Sequence, residues 1–188
     1  MPASVLIPLA HGVEEMEAVI VIDVLRRAGW NVVSAAVGNE LNITASRGVT
    51  FMADGLWTEV AAPTTRHDAI VIVGGLRGTR ALCGDTRVLE ALRTFAQQGK
   101  WIGSICAGPL VLQAAGVLNG CHYTCYPGIE SEITGSMHHT EPVVHDPTRR
   151  LITSQGPGTA FLFALALVEA IDGRTAADRL REQLRLVA

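Results

Sequence analysis

One cysteine stands at a junction where its thiol could do chemistry. The apolar run Trp101-Ile102-Gly103-Ser104-Ile105 reads as a strand, Pro109 to Ala115 reads as a helix, and Cys106 sits between them. Ser104 and Gly108 flank it two residues away on either side. This small-x-nucleophile-x-small spacing is that of a nucleophile elbow, with a thiol in place of the usual hydroxyl. A strand that folds straight back into a helix needs small neighbours at the bend. It also leaves the thiol at a helix N-terminus, where free N–H groups favour the thiolate. The plainer alternative is a small buried core residue, a common fate of free cysteine.

Two further groups can act on that sulfur. Gly74-Gly75 follows the β-branched run Ala69–Val73, and glycines at a strand end let backbone N–H groups approach a ligand closely. A donor from Gly75, paired with the N–H of Ala107, would make an oxyanion hole. A simple turn reads equally well from two glycines. The acidic cluster Glu14-Glu15-Met16-Glu17 opens the first helix, where carboxylates complement the helix dipole. Glu14 and Glu17 are three apart and share a face, while Glu15 points elsewhere. Glu17 lies deepest, just before Ala18-Val19-Ile20, so it is the one expected to be buried. A buried carboxyl beside a thiolate keeps its proton and can serve as general acid and base.

Hydrophobic patterning predicts the elements that carry these groups. Strands are expected at Ser4–Leu9, Asn31–Val37, Ala69–Val73, Trp101–Ile105 and Leu151–Ser154. Helices are expected at Glu14–Ala28, Thr86–Gln98, Pro109–Ala115, Thr159–Ile171 and Thr175–Leu186. A short hairpin is expected over Ile43–Ala53, around Arg47-Gly48. Residues 119–150 read as irregular, with an edge hairpin near Val143–Leu151. Alternating strands and helices with Gly-rich turns predict one α/β domain over residues 1–188. It would be a three-layer sandwich with a mostly parallel sheet and helices on both faces. Ligands in such sheets collect at the carboxyl ends of the strands, and Gly12, Gly74-Gly75, Cys106 and Gly156 all fall there.

Composition narrows the partners. The chain has 188 residues, is 48% hydrophobic and carries a net charge of -3. That balance argues against nucleic acid as a main partner. The longest apolar stretch, Ala160 to Val168, is too short to span a bilayer. The N-terminal stretch from Met1 lacks a basic region and does not read as a leader. Four cysteines do not make a disulfide scaffold in a chain of this size, and a reducing, cytoplasmic setting is expected.

Four motifs occur in order: His11-Gly12-Val13-Glu14-Glu15-Met16-Glu17, Val73-Gly74-Gly75, Ile105-Cys106-Ala107-Gly108-Pro109, and Thr153-Ser154-Gln155-Gly156-Pro157-Gly158-Thr159. Together they resemble the ThiJ/PfpI superfamily, most closely its Parkinson-disease-protein and bacterial YajL branch. The resemblance implies a flavodoxin-like sandwich and a homodimer. It implies Cys106 as nucleophile and redox-sensitive thiol, Glu17 as the protonated carboxyl beside it, and Gly75 and Ala107 as oxyanion donors. Gly74, Pro157, Gly158, Arg27 and Arg47 match family positions near the site or the dimer interface. The chain departs from the pattern at Tyr126, where relatives of the human type carry histidine. Ala45 stands where relatives often have a second cysteine, and Gln155 where some have arginine.

The expected function is therefore a cofactor-independent glyoxalase III or deglycase. Its substrates would be 2-oxoaldehydes such as methylglyoxal and glyoxal, or their early adducts on proteins. The alternative is a redox-sensing stress protein and holdase chaperone that works through oxidation of Cys106. A PfpI-like peptidase needs a histidine directly after the nucleophile, and Ala107 stands there. An amidotransferase would need His139-Thr140-Glu141 to reach Cys106 from an expected surface excursion. His138, His139 and His145 lack paired metal-ligand spacing and read as surface histidines, so no metal is expected. Cys121 and Cys125, with three residues between them, are not a Cys-x-x-Cys motif. His11 is expected to be peripheral.

Overall fold

The computed structural model describes residues 2–62 and 66–186; Met1, which opens the N-terminal stretch, lies outside them. Along the chain come β1 (Ser4–Leu9), α1 (Glu15–Arg27), β2 (Asn31–Ala36), β3 (Asn42–Thr44), β4 (Thr50–Met52), β5 (Gly55–Leu56) and α2 (Trp57–Val60). Then follow β6 (Ala69–Ile72), α3 (Leu76–Cys83), α4 (Thr86–Gln97), β7 (Trp101–Ile105) and α5 (Pro109–Ala115). The last part holds β8 (His122–Tyr123), β9 (Met137–His138), β10 (Val143–Asp146), β11 (Leu151–Ser154), α6 (Ala160–Asp172) and α7 (Arg174–Gln183).

The main sheet runs β10-β11-β7-β6-β1-β2-β5. All neighbours are parallel except β10, which pairs antiparallel with β11 at one edge. Alternation along each strand divides the core between two faces. Val5, Ile7 and Leu9 of β1 pack with Val71 and Ile152 against α1, α6 and α7. Leu6, Ile70, Ile72 and Ile102 face the other way, toward α4 and α5. Because both faces are covered, the central strands are apolar throughout, as in β6, where all four residues are buried. The flavodoxin-like sandwich is the fold.

Local chemistry sets the element ends. Glu14 caps α1, its Oε2 accepting from the N–H of Glu17 at 2.7 Å. Asp85 caps α4, accepting from the N–H groups of Arg87 and Val88. The β3–β4 hairpin folds back over the β1–α1 turn: Gly12 N–H donates to Thr44 at 2.8 Å and Ser46 N–H to Val13 at 2.8 Å. That closure brings Arg47 to the carboxyl edge of the sheet.

Three features depart from the expected elements. Gly55–Val60 forms a short strand and a helical turn, and Leu76–Cys83 forms a helix directly after Gly75. Within residues 119–150, β8 and β9 make a small separate parallel pair. Cys121 and Cys125 flank β8 as free thiols, as are Cys83 and Cys106.

Candidate active site

Parallel strands β1, β6, β7 and β11 end on one edge, and the turns beyond them close around Cys106. The cysteine has φ 63°, in the left-handed region that side chains other than glycine seldom occupy. Backbone hydrogen bonds hold it there. Its N–H donates to Ser154 at 2.9 Å, and its carbonyl accepts from Tyr126 N–H at 3.0 Å. The elbow thus spans β7, β11 and the segment carrying Tyr126. Positive φ at a bulky residue is a strained state that surrounding structure must enforce, and such strain collects at functional sites.

Glu17 reaches the sulfur from α1. It is fully buried, and its Oε2 accepts from Gly74 N–H at 2.7 Å. Its Oε1 has no hydrogen-bond partner among the described residues. The closeness of the groups is clearest at Gly74. A methyl added there would stand 2.7 Å from Glu17 Oε2, 2.9 Å from Cys106 Sγ and 2.5 Å from Cys106 Cβ. Gly75 has φ 89°, and a side chain there would collide with backbone atoms of Gly12, Val13 and Glu14. Both glycines are therefore required by packing as well as by the turn.

The electrostatics follow from this crowding. Burial pushes the Glu17 carboxyl up to about 7, with the charge of Glu14 adding to it and hydrogen bonds from Gly74 and Cys106 opposing it. Burial also pushes the Cys106 thiol up to about 12, assisted by the Glu17 carboxylate and opposed by the N–H groups of Gly75 and Ala107. The helix N-terminus alone predicts the opposite direction. Burial and the neighbouring carboxylate override it while Glu17 is ionised.

Two touching acids ionise in sequence, so one proton leaves the pair near neutrality and the other stays. The hydrogen-bond donors decide which charge forms first. The sulfur has two backbone N–H donors, from Gly75 and Ala107, whereas the carboxylate has one, from Gly74. A carboxylate would leave Oε1 buried and unpaired, which is costly. A proton on the carboxyl can instead be donated to the thiolate. The arrangement can thus hold a thiolate beside a protonated Glu17.

The thiol opens into a cavity of about 670 Å³. Its wall includes Gly75, Ala107, Arg47, Tyr126 and Pro157, all expected at the site, together with Glu14, Ser46, Arg77 and Ile129. Glu15 positions the Arg47 side of the wall. Its carboxylate accepts from Ser46 Oγ and Arg47 N–H, each at 2.8 Å. Burial would raise its pKa, but those bonds prevail and hold it below the usual carboxylate range. Glu15 is thus a clamp on the hairpin rather than only a dipole complement.

Other expected positions lie elsewhere. Arg27 is in the last turn of α1, half exposed and paired with Asp23 at 2.6 Å. Ten residues from Glu17 along the helix, it is about 15 Å from the thiol end. Gly158 adjoins Pro157 but has no atom within 4 Å of where a side chain would start. His11 accepts from Thr44 N–H at 3.1 Å and does not line this cavity. His139 contacts His122 at 2.7 Å and does not line the cavity either, so no His-x-Glu dyad forms with Cys106.

A thiol on a strained elbow at the carboxyl edge of a flavodoxin-like sheet, with a buried glutamate beside it, defines a class of cysteine-elbow α/β proteins. Within that class, residues 3–170 match the profile of the DJ-1/PfpI family, and the chain belongs to that family. It is 45% identical to Protein DJ-1 homolog B of Arabidopsis thaliana over 91% of its own length and 38% of that protein's. It thus spans about two fifths of the length of the Arabidopsis relatives it matches. It is 35% identical to the glutathione-independent glyoxalase DJR-1.2 of Caenorhabditis elegans, covering 98% of this chain and 96% of the relative. The crystal structure of Drosophila melanogaster DJ-1beta superposes with a TM-score of 0.94 at 36% identity, covering the whole of both chains.

Proposed function

We propose that the protein is a cysteine-dependent, glyoxalase III-type enzyme acting on small 2-oxoaldehydes. The observation that carries this reading is the shared buried space of Cys106 Sγ and Glu17, with the N–H groups of Gly75 and Ala107 beside them. The chemistry needs a nucleophile, a proton carrier and an oxyanion site, and this cluster offers one of each. The similarity to a relative named as a glutathione-independent glyoxalase supports the same substrate class.

In the proposed reaction the Cys106 thiolate adds to the aldehyde carbon of methylglyoxal, forming a hemithioacetal. Gly75 and Ala107 N–H groups stabilise the oxygen that gains charge. Glu17 protonates that oxygen, then as carboxylate removes the proton from the same carbon to give an enediolate. It returns that proton to the neighbouring carbon while the hydroxyl proton passes to the neighbouring oxygen, leaving a thioester of the 2-hydroxy acid. Water cleaves the thioester, releasing lactate and the free thiol, so the net reaction adds one water. Early glycation adducts present the same carbon pattern with an amine leaving group, which extends the reading to deglycase action.

The test is lactate formation from methylglyoxal without added thiol. Wild type is expected to turn over, Cys106→Ala to lose all turnover, and Glu17→Gln to fall by about 10²–10⁴-fold, the usual worth of a general acid–base. Turnover that survives Cys106→Ala would overturn the assignment.

The alternative of a redox-sensing stress protein draws on the same donors, which would also hold the oxygens of an oxidised Cys106. A homodimer is the proposed assembly. Met16 and Val19 on α1, with Val49 and Met52 of the hairpin, are exposed hydrophobics suited to a second copy.

A further inference from the structure

The segment 119–150 gathers a second set of ligating groups, separate from Cys106. Among the described residues, Cys125 Sγ, a Glu130 carboxylate oxygen and a His138 ring nitrogen lie within 4.8 Å of one another. We infer that these three residues form a binding site for a borderline-soft divalent cation of the zinc class. None of the three lines the Cys106 cavity.

Ligand chemistry and spacing support the assignment. Thiolate, imidazole and carboxylate are the zinc donors, and three of them with one open position is a common zinc arrangement. Metal–ligand bonds of about 2.0–2.3 Å in a tetrahedron set neighbouring ligand atoms roughly 3.3–3.8 Å apart. Cys125 Sγ and Glu130 Oε2 are already 3.9 Å apart. Closing the triangle from at most 4.8 Å onto a cation needs movement of about 1 Å.

The three ligands come from separately fixed backbone. Cys125 follows β8 and is buried. His138 lies on β9 opposite Tyr123 in the parallel register, with its ring 5.4 Å from the tyrosine ring. Glu130 sits in a one-turn 3₁₀ helix whose start it ties down, accepting from Gly128 N–H at 2.7 Å. Among the described residues His138, His139 and His145 do not form a metal-ligand cluster of their own. His139 contacts His122, and His145 lies against Trp101, which leaves His138 with the thiol and the carboxylate.

The Cys125 thiol donates to Glu130 Oε2 across 3.9 Å. A dication would neutralise the Cys125 thiolate and the Glu130 carboxylate together. Binding would break the S–H bond, form an Sγ–metal bond and release the thiol proton to solvent.

Cobalt(II) is the probe, because a thiolate ligand gives it a near-ultraviolet charge-transfer band and tetrahedral geometry strengthens its visible bands. The titration uses the full chain carrying Cys83→Ala and Cys106→Ala, which removes the two partly exposed thiols. One equivalent of cobalt is expected to produce the thiolate band, and zinc to bleach it. Cys125→Ser should abolish the band. Glu130→Gln and His138→Gln should each weaken binding at least tenfold, the lower end of what even outer-shell changes cost. His138 is exposed, so His138→Gln keeps the test decisive should Cys125→Ser fail to fold. Absence of the band in the chain carrying Cys83→Ala and Cys106→Ala, or unchanged affinity in His138→Gln, would overturn the site.

Discussion

Gly74→Ala isolates the geometry of the site from its chemistry. Gly74 does not have the positive φ that disfavours side chains, so the substitution acts through space alone. The added methyl would lie 2.5 Å from Cys106 Cβ and 2.9 Å from Sγ. Carbon–carbon contact is relaxed at about 3.5–4.0 Å, so the overlap is roughly 1 Å or more. It cannot be relieved cheaply, because Cys106 is held by backbone bonds to Ser154 and Tyr126 and Glu17 is fully buried. Overpacking of this kind costs about 1–3 kcal/mol, or roughly 2–12 °C in Tm for a chain of this size. A displacement of about 1 Å between reacting groups costs on the order of 10²-fold in rate. Methylglyoxal turnover and thermal unfolding should be measured together for Gly74→Ala and for Gly158→Ala, whose methyl meets no atom within 4 Å. Gly74→Ala is expected to lose about 10²-fold in kcat/KM with a lowered Tm, and Gly158→Ala to change neither. Wild-type turnover in Gly74→Ala would refute the claim that Cys106 and Glu17 share that space.

Three other outcomes are expected. The folded Glu17–Cys106 pair keeps both its protons up to about 7, so between 4.5 and 7 the native state holds a proton that the unfolded chain has lost. Its stability is full below 4.5 and falls as pH rises to 7, by on the order of 3 kcal/mol. In urea unfolding, Glu17→Gln should therefore gain on wild type between about pH 5 and 8, and a gap independent of pH would count against a buried, proton-holding Glu17. Val19→Asp, which places a charge among the exposed apolar residues of α1, should convert the proposed dimer to monomers in sedimentation; an unchanged mass would remove that face from the interface. Arg27→Ala should leave methylglyoxal turnover unchanged, since Arg27 pairs with Asp23 at the far end of α1; a fall in turnover would tie it to the site through the assembly.

Much of this site was legible because its parts are local. The Cys106 elbow, the glycines after β6 and the apolar face that buries Glu17 each lie within one short segment, and strand-end logic brings the segments to one edge. What stayed hidden depends on distant contacts. Glu15 reads as a dipole complement until the β3–β4 hairpin folds back and offers it Ser46 and Arg47. Arg77 reaches the cavity on α3, an eight-residue helix with a glycine inside it and no side-chain cap to announce its start. The helix N-terminus at Cys106 is a sequence feature, but the burial and the neighbouring carboxylate that oppose it are tertiary ones. Cys125, Glu130 and His138 share no spacing motif and meet only because β8 and β9 pair.

The central claim is that the pair loses its first proton from sulfur, and one titration can decide it. Thiolate absorbance assigns the sulfur, by its loss in Cys106→Ala. The infrared carbonyl band of a protonated carboxyl assigns Glu17, by its loss in Glu17→Gln. The account predicts that the thiolate signal rises with a midpoint near neutrality, while the Glu17 carbonyl band persists above about pH 8. Loss of the carbonyl band at about 7, with the thiol still protonated above about pH 9, would contradict it.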